Sequence, residues 1–139
     1  MRITPHLCFD GQCKAAFLDY QQVLGGTIES MLTYGESPMA PDVESRWHDR
    51  ILHATFQLGA FELMGADVCS ADYRKPQGFF VAFTIDDIAK AEHIFSALAN
   101  GGEICLPFRS TFWSAGVGVL VDRFGVPWEI NFAQRPDSA

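Results

Sequence analysis

Glu129 stands between apolar neighbours in Trp128-Glu129-Ile130-Asn131, directly after a turn at Asp122 to Gly125. A carboxylate in that setting is a ligand, a catalytic group or an exposed rim residue. Phe61-Glu62-Leu63 repeats the arrangement earlier in the chain. Four imidazoles could move protons: His6, His48, His53 and His93. Histidine is the side chain whose ordinary titration range lies nearest neutrality, which suits it to that work. His6 lies in an apolar run near the start, and His53 precedes Ala54 in another. His48 in a loop and His93 beside Glu92 in a helix read as solvent-exposed. Trp113, Phe112 and Trp128 surround the last hairpin as candidates to line a pocket, with core packing the plainer reading for Trp128. Arg109 and Arg123 flank that hairpin. Either could hold an anionic substrate, although most such arginines are surface groups.

The four cysteines, Cys8, Cys13, Cys69 and Cys105, form no Cys-x-x-Cys pair. In a reducing compartment they read as buried or half-buried thiols. Cys13 opens a predicted helix, where a thiolate is favoured, so it is the one candidate for a reactive thiol.

The elements that must position these groups follow from periodicity. Residues 3–9 and 27–34 read as strands around a helix at 13–24, whose apolar positions Ala16, Phe17, Tyr20, Val23 and Leu24 share one face. Gly25-Gly26 end it, as residues able to take positive φ do. Gly35 to Asp49 is a polar loop of a length often used to cover ligands. Trp47 at its end either does that or packs the loop onto the sheet. Residues 51–58 and 61–66 read as a hairpin, and 69–78 as a linker. The order then restarts: a strand at 79–85, an Asp86-Asp87 cap, a helix at 88–100 ended by Gly101-Gly102, a strand at 103–108, and the last hairpin, a strand, turn and strand over 110–131. Module one is 1–68, module two is 79–132, and 133–139 is a tail. The chain is therefore a βαβββ unit written twice, of α+β class, and the repeat predicts two modules sharing one curved mixed sheet.

A chain of 139 residues with 48% hydrophobic content can bury a core. The net charge of −7, with the ten basic residues scattered, argues against the clustered basic surface that non-specific nucleic-acid binding needs. No apolar run approaches the ~18 residues of a membrane helix, and the start lacks the pattern of a signal peptide. The reading is a cytoplasmic protein with neither nucleic-acid nor membrane partner.

The stretches PHLCFDGQCKAAFLDYQQVLGG, HATFQLGAFELMGAD and TFWSAGVGVLVDRFGVPWEIN, in a doubled βαβββ order, resemble the vicinal oxygen chelate superfamily, which includes glyoxalases, extradiol dioxygenases and bleomycin-resistance proteins. The likeness is to its PhnB-like branch. That branch carries a ubiquinone-pathway methyltransferase label, which is discounted because no strand, Gly-rich loop and helix open a Rossmann-type cofactor site here. The resemblance implies a cup around a divalent metal (Zn, Mn, Fe or Ni), with ligands from the first and last strand of each module. Those slots fall on Thr4, Glu62, Phe80 and Glu129. Thr4 and Phe80 depart from the usual His or Gln. His6, two residues on and on the same side of its strand, could replace Thr4, giving His6, Glu62 and Glu129 as the implied metal set.

Glu129 and His53 are the implied catalytic residues, with a His-Ala pair typical of the branch. For His53 the plainer alternative is a ring bonded to backbone or to Asp49. Trp113, Phe80, Trp47 and Arg109 are the expected ligand-binding residues. The resemblance further implies a homodimer and a small-molecule ligand. The functional expectation is an enzyme acting on a small oxygenated molecule, of lyase, isomerase or dioxygenase type. The alternatives are a metal-free sequestering protein and a folded relic with an interaction role.

Overall fold

The computed structural model describes residues 1–134. The chain divides into two compact units, Met1–Arg74 and Lys75–Ala139. The first holds β1 (His6–Phe9), α1 (Cys13–Leu24), β2 (Thr27–Thr33), β3 (Ile51–Leu58) and β4 (Phe61–Asp67). The second holds β5 (Val81–Ile85), α2 (Ile88–Ala99), β6 (Glu103–Arg109), β7 (Gly116–Val121) and β8 (Pro127–Phe132). The α+β class and the doubled βαβββ order are as expected. The single shared sheet is not: the strands form two four-stranded sheets, ordered β1-β4-β3-β2 and β5-β8-β7-β6. Within each unit the first strand pairs in parallel with the last, and the other neighbours are antiparallel. Each module thereby completes a mixed ladder of its own.

Each helix covers one face of its own sheet. On α1 the buried residues are Cys13, Ala16, Phe17 and Tyr20, spaced to form one stripe. They accompany the buried sheet residues Leu7, Phe9, Ala54 and Phe56. On α2 the stripe is Ala91, Ile94, Phe95 and Leu98, and the buried sheet residues are Leu120, Trp128 and Ile130. Close approach needs glycine on the sheet side. A Cβ at Gly65 would sit 2.6 Å from Phe17 Cζ, and one at Gly118 would sit 2.6 Å from Phe95 Cε2.

Two buried aspartates fix where elements begin. Asp67, at the end of β4, accepts the Cys13 N–H at 2.9 Å and the Ile51 N–H at 2.8 Å. It therefore caps α1 from 54 residues away. Asp122 accepts the N–H groups of Phe124 and Val126, each at 2.9 Å, and the Trp128 indole N–H at 3.0 Å. This is the Asp122 to Gly125 turn read from the sequence, and it places Trp128 in the core. The Asp87 carboxylate accepts the Lys90 N–H at 3.1 Å, capping α2 as expected.

Three strand boundaries move. β1 starts at His6 rather than residue 3, because Pro5 has no N–H and contributes only its carbonyl, to Met64 N–H at 2.9 Å. β5 starts at Val81, leaving Phe79 and Phe80 outside the strand and about half exposed. Residues 110–115 form a loop rather than the start of β7, closed by Thr111 N–H to the Ser114 carbonyl at 2.8 Å. The long loop is anchored by Tyr34 N–H to Arg50 O at 2.9 Å and Gly35 N–H to His48 O at 3.0 Å. The expected C-terminal tail falls mostly on residues 135–139, outside the described residues. Among the described residues, no helix is long and apolar enough to cross a membrane.

Candidate functional site

Register decides which side chains share a face, since directly paired residues point the same way and residues two apart on a strand do too. In the first unit His6 pairs with Met64, and Met64 pairs with Thr55. His53 lies two residues before Thr55, and Glu62 lies two before Met64. His6, His53 and Glu62 therefore stand on one face of the first sheet, opposite the helix. Leu7 and Phe9, alternating with His6 and Cys8, point to the helix and are buried.

The two imidazoles are neighbours there, with ring centroids 6.5 Å apart. His53 Nε2 lies 3.1 Å from Thr55 Oγ1, so its partner is a hydroxyl rather than backbone or Asp49. His6 Nδ1 lies 3.9 Å from Cys8 Sγ, a thiol contact that the sequence reading did not pick out. Glu62 pairs with Arg2, whose guanidinium nitrogen is 3.4 Å from Oε2.

In the second unit Glu129 pairs with Ala82 and with Val119. The first-strand position opposite Glu129 is thus Ala82, not Phe80, and neither can ligate a metal. Asn131 donates from Nδ2 to Glu129 Oε1 at 2.9 Å. Asn131 pairs with Thr84 and Val117, and Val117 pairs with Arg109. Glu129, Asn131, Thr84 and Arg109 therefore share the face of the second sheet opposite α2. This polar row is the counterpart of the imidazole row in the first unit.

The expected metal set divides between the units, with His6 and Glu62 in the first and Glu129 in the second. Among the described residues no group of three His, Cys, Asp or Glu side chains is gathered to hold a metal ion. The first unit brings His6 and Glu62 to one face, but Glu62 is engaged by Arg2. In the second unit Glu129 is engaged by Asn131, and its strand neighbours are Ala82 and Val119.

The expected ligand-binding residues divide. Trp47 is held edge-on by Tyr34, ring centroids 5.8 Å apart, and the Arg50 guanidinium carbon lies 5.4 Å from its ring centre. Its packing role is thus built in. Trp113 is 66% exposed and Phe112 96%, with their rings 4.7 Å apart in a T-shaped contact. Arg109 is exposed at the end of β6.

Two other histidines also find places. His93 is exposed as expected. His48 is half-buried instead, because its Nε2–H donates to the Ala40 carbonyl at 3.0 Å and reaches the Val43 carbonyl at 3.3 Å.

The thiol assignments also change. Cys8, Cys69 and Cys105 are exposed, and only Cys13 is buried. Burial, then the Asp67 and Cys8 charges, push the Cys13 thiol from 9.0 up to about 12. A thiol held so firmly protonated is inert, which ends the expectation of reactivity at Cys13. Burial and the Asp67 charge also raise the Tyr34 phenol, whose hydroxyl donates to the Asp67 carbonyl at 3.1 Å.

Known proteins share this whole architecture. Protein PA1353 from Pseudomonas aeruginosa is 42% identical, with 97% of this chain and 99% of that chain covered and a TM-score of 0.88. The PhnB protein from Bacillus cereus is 26% identical, covering 96% of this chain and 100% of that one, with a TM-score of 0.82. A glyoxalase-related enzyme from Fulvimarina pelagi, 14% identical over 96% of this chain and 89% of its own, shares the fold at a TM-score of 0.61. The family profile described as 3-demethylubiquinone-9 3-methyltransferase matches residues 1–131. The chain belongs to that PhnB-like 3-demethylubiquinone-9 3-methyltransferase family, and its fold is the one glyoxalase-related proteins have.

Proposed function

We propose that this chain is a glyoxalase-superfamily enzyme that moves a proton on a small oxygenated molecule, using side chains rather than a three-ligand metal centre. The observation that carries the reading is the placement of His6 and His53 on one sheet face, rings 6.5 Å apart, with Glu62 on the same face. Two imidazoles at that spacing reach one small substrate, one to take a proton and the other to return it. Thr55 orients His53 through its Nε2 contact. Glu129, steadied by Asn131, is the corresponding carboxylate of the second unit. The family description names methyl transfer. Against that activity stands the sheet topology, since among the described residues only one strand pair in each unit is parallel, and no Rossmann-type cofactor crevice follows from that pairing.

The reading includes a homodimer in the cytoplasm. Phe61, Phe112 and Trp113 are large apolar side chains left exposed, which a second copy would cover. The free thiols Cys8, Cys69 and Cys105 suit a reducing compartment. The same exposed aromatic groups favour a second reading, a metal-free sequestering protein in which Trp113 and Phe80 stack on a ligand.

The test is deuterium exchange from solvent into small hydroxy and oxo compounds, at carbons next to oxygen. The enzyme reading expects a compound whose exchange falls about a hundredfold or more in His53→Asn. Binding without any exchange supports sequestration. Exchange unchanged in both His53→Asn and His6→Asn overturns the assignment.

A further inference from the structure

Beside Gly11, at the end where β1 and β4 finish, lies a groove of about 240 Å³ lined by Arg46, Trp47, Arg50, Cys69 and Ser70. All five residues belong to the first unit. The volume is below the ~300–1,000 Å³ of pockets for drug-sized ligands, so its occupant is small.

Arg50 is the unusual member. It is half-buried, and its guanidinium makes neither an ion pair nor a side-chain hydrogen bond among the described residues. Its place is nonetheless built. Its guanidinium carbon lies over the Trp47 ring, 5.4 Å from the ring centre. Trp47 is in turn fixed by Tyr34. A terminal nitrogen also lies against Gly11, where a Cβ would fall 1.1 Å from it. Gly11 also has φ +88°, so this position takes a glycine on both counts. A guanidinium offers five N–H donors in a planar fork. Packed against a ring and a glycine, it loses freedom before any ligand arrives, so less is lost on binding.

The nearby acids are committed or solvated. Asp10 accepts the Ser70 hydroxyl at 2.6 Å, Glu44 pairs with Arg46, and Asp49 is exposed. Ser70 has used its proton, so Arg50 is the principal donor and Arg46 the auxiliary one.

We propose that this groove binds the oxyanion of a small molecule, a carboxylate or phosphoryl group, in the fork of Arg50 held against Trp47. The fork matches two oxygens of such a group at once. The site uses none of His6, His53, Glu62 or Glu129, so it stands or falls independently of the proton-transfer reading.

The test is a titration of the ¹⁵N-labelled full chain with sodium phosphate and, separately, sodium acetate, at constant ionic strength set with chloride. The Arg50 Nε–H and Trp47 indole resonances are followed, with the Trp113 and Trp128 indoles as internal references. Saturable shifts confined to Arg50 and Trp47 are expected, weakening about tenfold or more in Arg50→Gln. Arg50→Lys keeps the charge but not the fork, so it weakens binding too, and it decides the matter if Arg50→Gln does not fold. Response to phosphate alone assigns a phosphoryl group, and response to both anions assigns oxyanions generally. No saturable shift with either anion overturns the proposal, as does binding of unchanged strength in the folded variants.

Discussion

Cys13 and Cys8 lie on opposite sides of the first sheet, and their chemistry diverges accordingly. A thiol reagent on the native chain should modify Cys8, Cys69 and Cys105 and spare Cys13 until unfolding. The raised Cys13 pKa also sets a pH dependence. Below its ordinary value of 9.0, both folded and unfolded chains keep the proton. Between that value and about 12 the unfolded chain releases it while the folded chain retains it. The unfolded state then binds fewer protons, so stability falls as pH rises through that window. Urea midpoints for wild type and Cys13→Ala at neutral pH and at about pH 10.5 should show the steeper alkaline loss in wild type. Asp122→Ala strips the acceptor from two backbone N–H groups and the Trp128 indole. Its cost in urea unfolding is expected at about 3 kcal/mol or more, since each donor left buried without a partner costs roughly 1–3 kcal/mol.

At the scale of elements, the helix–sheet contacts depend on two glycines whose neighbours are rings. Gly118→Ala puts a methyl group against the Phe95 ring and, at 3.0 Å, the Phe108 backbone, with an expected loss of about 1–3 kcal/mol. Phe95→Leu in the same chain makes room, so the double variant should lose less than the sum of the singles. The helices, the hairpin turns and the doubled order were legible because each is written locally, in apolar spacing, Gly pairs and the Asp87 cap. The strand starts at His6 and Val81 were not, because ladder pairing with a distant strand decides them. Glu129 and His53 were legible as unusual residues, and their partners Asn131 and Thr55 stand two residues further along the same strands, a spacing that strand alternation itself offers; that His6 and Glu62 share the face of His53 emerges only from register. Asp67 capping α1 and Arg50 seated on Gly11 are long-range contacts that no local pattern in the sequence announces.

For the whole molecule, the exposed Phe61, Phe112 and Trp113 predict association. Light scattering at micromolar concentration should give twice the 15.4 kDa chain mass, and Trp113→Ser with Phe112→Ser should lower it toward one chain. Persistence of the monomer mass in wild type would remove the dimer from the account. The resemblance to metal-dependent relatives implies His6, Glu62 and Glu129 around an ion, whereas the structure pairs Glu62 with Arg2 and Glu129 with Asn131. The most direct test of a site working through side chains alone is elemental analysis of the untagged chain, purified without chelator. Far less than one transition-metal ion per chain is expected. Close to one ion per chain, lost on Glu129→Ala, would contradict it and restore the metal centre that the resemblance implies.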